Sequence, residues 1–224
     1  MSVKLIAVSQ PRIEGVATAE DLIAYCARVS NPANQLNTGT ADKLLKYLVK
    51  NKHWSPFEMV NMTIEIKTTR DIGRQILRHR SFSFQEFSQR YAMPAPEEFT
   101  TTREARLQDE KNRQNSIEID DVDLQTLFER YQKGAVATAL DYYKWALDNG
   151  IAKEQARIFL PEGLSPTHMY MSGTLRSWIT YIALREKNGT QKEHRQIALE
   201  CKQIINDQFP SVAEALGSPN DWII

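Results

Sequence analysis

Residues 59–92 read MVNMTIEIKTTRDIGRQILRHRSFSFQEFSQRYA, and the period of the sequence changes twice within them. Val60, Met62, Ile64 and Ile66 alternate with Asn61, Thr63, Glu65 and Lys67, the pattern of a strand with one buried face. Thr69 then stands as an N-cap, and RDIGRQILRH (70–79) continues as a helix. SQRYA (88–92) is expected to return as a strand. Between them, RHRSFSFQEFSQRY (78–91) fits no regular period. Arg78, His79 and Arg80 are consecutive, so a helix would splay them in three directions and a strand would put them on both faces. Neither placement buries an apolar stripe at low cost, so the stretch needs a functional reason as well as a structural one.

Toward the N-terminus, VKLIAVS (3–9) is expected as a short strand. TAEDLIAYCARVS (18–30) is expected as a helix, with Thr18 and Asp21 spaced as a capping box and Leu22, Cys26 and Val29 on one face. NPANQLNTG (31–39) is dense in turn formers. Thr40 then caps ADKLLKYLVKN, whose Leu44, Leu45, Leu48 and Val49 form a buried stripe. Toward the C-terminus, 93–116 is polar and punctuated by proline, an exposed excursion. The segment 122–149 is strongly helical, with Leu124, Leu127, Phe128, Tyr131, Val136, Leu140, Tyr143 and Leu147 on a broad face and Gly150 closing it. AKEQARIFL (152–160) is a short helix ending at Pro161, THMYMSG (167–173) a strand, and TLRSWITYIALRE (174–186) a helix. Thr190 and Glu193 repeat the capping-box spacing before a last long helix, KEHRQIALECKQIINDQF (192–209). Helices dominate, strands are few and non-adjacent, and no linker or repeat interrupts the chain. The expectation is an α+β fold: one domain over 1–224, helix-rich with a small, mostly antiparallel sheet.

The 224 residues are enough to bury a real core. Lys plus Arg and Asp plus Glu balance at 28 each, so no global field draws the chain to nucleic acid or to a membrane, and any anion site must be local. No apolar run approaches the roughly 20 residues of a membrane span, and the N-terminus lacks the long apolar core of a signal peptide. Two cysteines far apart make neither a disulfide framework nor a CxxC. A reduced, cytoplasmic protein is expected.

Gln75, Arg78 and His79 share one face if the helix runs that far, and Arg70 and Arg74 extend its cationic edge. The plain alternative is a solvated basic helix end, where positive charge suits the macrodipole. Glu86, Ser88 and Arg90 alternate, so a strand would project a carboxylate, a hydroxyl and a guanidinium to one side, a set able to read a phosphate and a sugar hydroxyl. Phe82, Phe84 and Phe87 either fill core or wall a planar ring. Arg157 lies among apolar neighbours and either snorkels or meets an anion. Thr174, Ser177, Tyr181 and Arg185 form a polar stripe along a helix, equally readable as the edge of a core helix. The four histidines show no HxxxH or HExxH spacing, and no P-loop, GxGxxG or GxSxG is present, so neither a metal nor a standard nucleotide or nucleophile motif is expected.

Arg78-His79-Arg80, seven residues, then Ser88-x-Arg90 resembles the RHR-x7-S-x-R signature of flavin-dependent thymidylate synthases. HWSPFE (53–58) resembles that family's H-x-[ST]-P-F-E box and ARIFLP (156–161) its A-R-x-x-L-P segment. LRSWITYIALR (175–185) resembles its helix ending in a catalytic arginine, and the likeness runs in the same order over about residues 18–205. The resemblance implies a compact α+β domain assembling as a homotetramer with shared active sites. It implies reductive methylation of dUMP to dTMP, with methylenetetrahydrofolate as one-carbon donor and FAD, reduced by NADPH, supplying the hydride. Carried over by position, Arg78, His79 and Arg80 would hold FAD, with Ser55 from a neighbouring subunit at the diphosphate and Thr174, Leu175, Arg176 and Thr180 on the flavin-facing helix. Glu86 would lie where flavin and nucleotide meet. Gln75, Ser88, Gln89, Arg90 and Arg157 would bind the dUMP phosphate and sugar, with Ile76, Leu77, Arg78 and Phe87 alongside. Arg185 would face the uracil ring as the catalytic residue, and His53, with Tyr91, would border the folate. Neither cysteine is required as a nucleophile, and Cys26 and Cys201 both read as core.

The chain departs from the family at four of these positions. Thr174 and Thr180 replace frequent asparagines, Gln89 a frequent glycine, and Ser81 a frequent apolar residue. Two other readings follow from the residues alone. Arginines interleaved with Phe and Tyr suit a single-stranded nucleic-acid-binding module, though the zero net charge weighs against it. A homologue that binds nucleotide without turnover is the other.

Overall fold

In the computed structural model, which describes residues 1–217 and 222, the alternating segment lies at the centre of the fold. Strand β1 (Ser2–Val8) leads to helix α1 (Ala19–Ala27), where Thr18 and Asp21 form the expected capping box. The buried side of α1 is carried by Ile23 and Ala24 and not by Leu22, Cys26 and Val29: Val29 is 68% exposed and Cys26 is only partly covered. Helix α2 (Ala41–Lys50) buries Leu45, Leu48 and Val49 as expected. Thr40 does not cap it, because its Oγ1 accepts a hydrogen bond from Arg28 Nη2 at 2.9 Å.

A 3₁₀ turn over Ser55–Met59 then feeds β2 (Asn61–Thr69), which buries Met62, Ile64 and Ile66 completely or nearly so. Helix α3 (Arg70–Ile76) follows without a break. Two expectations fail here. Thr69 gives no cap to a backbone N–H, since its hydroxyl pairs with Asp71 Oδ1 and Arg103 Nη2. The helix also stops at Ile76, so Arg78 and His79 lie in the turn beyond it. Three consecutive polar residues with no apolar partner give a further helical turn nothing to bury. The returning strand is β3 (Ser83–Glu86), and Ser88–Tyr91 form a turn where a strand was expected, so Glu86, Ser88 and Arg90 do not share a strand face.

The excursion carries a hairpin of its own, β4 (Arg106–Gln108) with β5 (Ser116–Glu118). Helix α4 (Val122–Asp148) is capped by Asp121 and closed by Gly150 at φ +76°. Short α5 (Lys153–Ala156) leads to β6 (Pro166–Thr174), then α6 (Leu175–Arg185), α7 (Lys192–Gln208) and an unanticipated α8 (Pro210–Leu216). Thr190 and Glu193 do not make the expected capping box. The N-cap of α7 is Gln191, and Glu193 pairs with Arg106 of the hairpin.

The sheet runs β1-β2-β6-β3, antiparallel throughout, with Ile64 opposite Met171 and Phe84 opposite Met171 on the other side. Helices α6 and α7 lay Trp178, Ile179, Ile182, Ile197 and Ile205 into the same core as the sheet's inner face. Trp178 donates from Nε1 to Met62 O at 3.0 Å, so its burial leaves no orphan donor. Gly173 on β6 is required by packing: a Cβ there would stand 2.5 Å from Phe82 Cδ1. The broad apolar face of α4 is largely uncovered. Tyr131 is 64% and Trp145 57% exposed, while only Gln132, Ala139, Tyr143 and Ala146 are buried.

Candidate active site

Helix α3 is a partition between two polar clusters. Arg70, Gly73 and Arg74, at i, i+3 and i+4, face Glu86 of β3. Glu86 Oε1 accepts from Thr167 Oγ1 at 2.7 Å, and Arg70 Nη1 and Arg74 Nη1 stand 3.9 and 3.6 Å from its carboxylate. Gly73 permits this close approach, since a Cβ there would meet Met169 Cε at 3.0 Å and Glu86 Oε1 at 3.5 Å. Glu162 answers the same two arginines from the other side, at 3.3 and 3.1 Å.

Beyond that lattice lies an open cavity of about 410 Å³, lined by Arg70, Arg74, Gln89, Arg157, Glu154 and Glu162 among others. Gln89 is 4% exposed, and its Nε2 has no hydrogen-bond partner among the described residues. A buried amide donor without an acceptor is uncommon, because it forfeits its hydration for nothing. Among the described residues Arg157 donates only to the Glu154 backbone O in its own turn, and Arg90 Nε stands 3.4 Å from the Glu154 carboxylate. Ser88 Oγ accepts from Arg90 N at 3.4 Å. The turn 88–91 and the turn 154–157 thus bring Ser88, Gln89, Arg90 and Arg157 to one rim. Phe87, half-buried, is fixed by its backbone N–H donating to His168 O.

On the other side of α3, Arg185 at the end of α6 donates from Nε to His79 Nε2 at 2.9 Å. Burial, and then the Arg185 charge, push His79 down to a pKa of about 4, so the ring is neutral and its proton sits on Nδ1. Tyr181, one turn earlier on α6, meets the His79 ring edge-on at 4.8 Å and bonds His194 Nε2 at 3.1 Å. Gln75 reaches this cluster through Gln191 and His194. Ile76 is fully buried and Leu77 partly so, and both support the turn with their side chains in core.

Arg78 and Arg80 flank His79 as exposed side chains with no ion pair among the described residues. The start of α6 is closed on itself. Thr174 is its N-cap, its Oγ1 accepting from Ser177 N, and Ser177 Oγ reaches Ser81 O at 3.3 Å. Leu175 is fully buried, and its N–H donates to Val60 O. Thr180 Oγ1 donates back to Arg176 O, and Arg176 pairs with Glu58 at 2.5 Å, next to exposed Ser55. His53 and Tyr91 are exposed and make no side-chain hydrogen bond to either cluster among the described residues.

Within this one chain the site residues therefore fall into three groups. His79, Arg185 and Gln75 form one, Glu86 with Ser88, Gln89, Arg90 and Arg157 a second, and Ser55 with Arg176 and Thr180 a third. The sequence reading missed Glu162, Gln191 and His194. Gln191 and His194 stand at i and i+3 at the head of an amphipathic helix, and that spacing was the available signal. Cys201 is fully buried with its thiol pushed up by burial, and Cys26 is raised by burial as well, so neither is a ready thiolate. Among the described residues no group of His, Cys, Asp and Glu could hold a metal ion, and no helix is long and apolar enough to cross a membrane.

Residues 13–211 match the family described as thymidylate synthase complementing protein. A probable flavin-dependent thymidylate synthase of Paramecium bursaria Chlorella virus 1 is 54% identical over 223 residues, covering all of both chains. The flavin-dependent thymidylate synthase of Synechocystis is 49% identical over 219 residues, covering 96% of this chain and 99% of the relative. A crystal structure of the UMP/dUMP methylase PolB from Streptomyces cacaoi, bound with 5-Br dUMP, superposes with a TM-score of 0.79 at 25% identity, covering 96% of this chain and 93% of the other. The chain belongs to the family of flavin-dependent thymidylate synthases.

Proposed function

We propose that this protein reductively methylates dUMP to dTMP, with methylenetetrahydrofolate as one-carbon donor and FAD, reduced by NADPH, as cofactor. The observation that carries the reading is the Arg185–His79 hydrogen bond, which joins the RHR turn to the last residue of α6. The donor set fits a flavin dinucleotide. Two exposed guanidinium groups without acidic partners among the described residues, Arg78 and Arg80, suit a diphosphate, and the neutral His79 lies between them. When bound, the flavin supplies the hydride of the reduction.

The chain's own residues bind, orient and stabilise. Arg78, Arg80 and a neighbouring subunit's counterpart of Ser55 hold the diphosphate, and Thr174, Leu175, Arg176 and Thr180 border the flavin from α6. The Thr174 hydroxyl is committed to capping the helix, so its methyl face is what it offers a ligand. Arg157, Arg90, Ser88 and the orphaned Gln89 amide take the dUMP phosphate and sugar; a phosphate oxygen supplies the acceptor that Gln89 Nε2 lacks. Glu86, held by Thr167 and flanked by two arginines, lies between the two ligands. Arg185, permanently cationic, stabilises the negative charge that develops on the uracil ring as it is activated. Ser88 contacts nucleotide and is not a nucleophile, since among the described residues its hydroxyl meets the Arg90 N–H and no base.

The uncovered face of α4, with Phe128, Tyr131, Tyr142 and Trp145 exposed, suits self-association into a homotetramer, in which His53 and Tyr91 border the folate. The two free thiols suit a cytoplasmic enzyme. A direct test is colour. Purified protein should carry or take up FAD, and added dUMP should change the flavin absorbance. A colourless protein that takes up no FAD overturns the reading.

A further inference from the structure

Behind the Arg185–His79 pair runs a chain of hydrogen bonds, half-buried at Gln191 and Gln75 and fully buried at His194 and Tyr181, whose direction is fixed at one end. Glu193 is a carboxylate. Burial opposes its charge, but hydrogen bonds, the strongest from Arg106 of β4, outweigh burial and hold it ionised. It can therefore only accept, so Gln191 must present Nε2 to it, at 2.9 Å. That turns Gln191 Oε1 toward Gln75, which must donate from Nε2, at 2.7 Å. Gln75 Oε1 is then left facing His194 Nδ1 at 3.3 Å, so Nδ1 carries the proton. His194 Nε2 is in turn left to accept from Tyr181 OH at 3.1 Å. His194 and Tyr181 are both almost fully buried, so water cannot substitute for the bond between them.

We propose that His194 is a positioning residue, which with Gln191 clamps the Gln75 carboxamide in a single orientation. This inference rests on the proposed function and on the dUMP-binding role that the family resemblance implies for Gln75. A flipped Gln75 would set N–H against N–H at buried His194 and oxygen against oxygen at half-buried Gln191, two repulsions in place of two hydrogen bonds. The clamp therefore decides which edge of the amide meets the nucleotide. It also gives the β4–β5 hairpin a role, because Arg106 holds the carboxylate that sets the polarity.

His194→Phe keeps the ring volume and removes both bonds. We expect it to raise the KM for dUMP about tenfold, the loss of roughly one net hydrogen bond. The affinity for FAD should stay within about twofold of wild type and kcat within about threefold, since those ligand contacts are untouched. His194→Gln, which restores a donor and an acceptor, should recover much of the loss, and Tyr181→Phe should show a smaller change in the same direction. Nitrogen NMR of the wild-type imidazole should find the Nδ1–H tautomer. Four results overturn the inference: an Nε2–H tautomer, an unchanged KM in folded His194→Phe, no recovery in His194→Gln, or FAD and dUMP affinities falling together. If His194→Phe does not fold, Tyr181→Phe and the tautomer decide. Wild-type protein that makes no dTMP overturns the function and the inference together, whereas active wild type beside an unaffected variant overturns the inference alone.

Discussion

Arg185 and His79 are 106 positions apart in the chain, yet the Nε of one donates to the Nε2 of the other at 2.9 Å. A guanidinium can only donate, so the bond exists only while the imidazole is neutral. Burial and the arginine charge secure this by holding His79 near a pKa of about 4. The contact fixes the planar head of Arg185 without neutralising it, because its partner carries no charge. An arginine that must stabilise charge on another molecule keeps its full electrostatic effect in this arrangement.

Arg185→Ala should lower dTMP formation by at least about a hundredfold, the effect of removing one well-aimed charge-stabilising group. FAD should remain bound, as Arg78 and Arg80 are untouched. Turnover within a few fold of wild type, measured by chromatography of the nucleotide products, would mean that the ring-activating group is elsewhere.

Arg157→Ala should weaken dUMP binding by roughly ten- to a hundredfold, in line with about 1.5–3 kcal/mol for a charge-assisted bond. Arg90→Ala should act in the same direction, relieving the Glu154 carboxylate of its partner as well. Calorimetric titration of the flavin-loaded protein with dUMP reads both. An unchanged affinity in either variant removes that arginine from the clamp.

Stability should fall in mild acid. His79 and His194 titrate near 4 and 3 when folded, through burial first and then the neighbouring Arg185 charge, against about 6.5 when unfolded. Below pH 6.5 the unfolded chain therefore binds protons that the folded chain does not, so their contribution is fully present above 6.5 and is lost progressively as the pH falls toward 4 and 3. Melting temperature should drop between about pH 7 and 5, and the drop should be shallower in His194→Phe. A flat profile across that range contradicts the assignment of both rings as neutral.

Gly173→Ala should destabilise the fold by about 1–3 kcal/mol, the usual effect of forcing one methyl into a packed core. The new Cβ falls 2.5 Å from Phe82, whose ring packs against Trp178 and cannot retreat freely. Denaturant unfolding measures the loss, and a wild-type midpoint would show that Phe82 has room to move.

Trp145→Glu, at an exposed point on α4, should break self-association without harming the monomer fold. Sedimentation should then find smaller species and the activity should fall, as expected if Ser55 of a neighbouring subunit completes the proposed flavin site. A wild-type sedimentation profile would acquit this face.

The strand at 61–69 was legible because its alternation is regular, and α2, α4 and α6 because their apolar periods are long. The end of α3 was not, because the run of helix formers continues through Arg78 while the packing that sustains the helix stops at Ile76. Thr40, Thr69 and Thr190 all looked like caps. Thr40 is instead engaged by Arg28, 12 residues away, and Thr69 by its neighbour Asp71 together with Arg103, 34 residues away, tertiary partners that local spacing does not reveal. Of the site, the motif carried Arg78, His79, Ser88 and Arg90, but the chain through Gln191 and His194 is purely tertiary. So is the partition by α3, which depends on Gly73 letting β6 and Glu86 come close.

The most direct measurement is an anaerobic assay of purified protein with FAD, NADPH, methylenetetrahydrofolate and dUMP, followed by chromatography for dTMP. dTMP should form only when all four are present, and at least about a hundredfold less of it from the Arg185→Ala protein. Flavin that is reduced by NADPH while no dTMP forms in the complete mixture would contradict the proposed function.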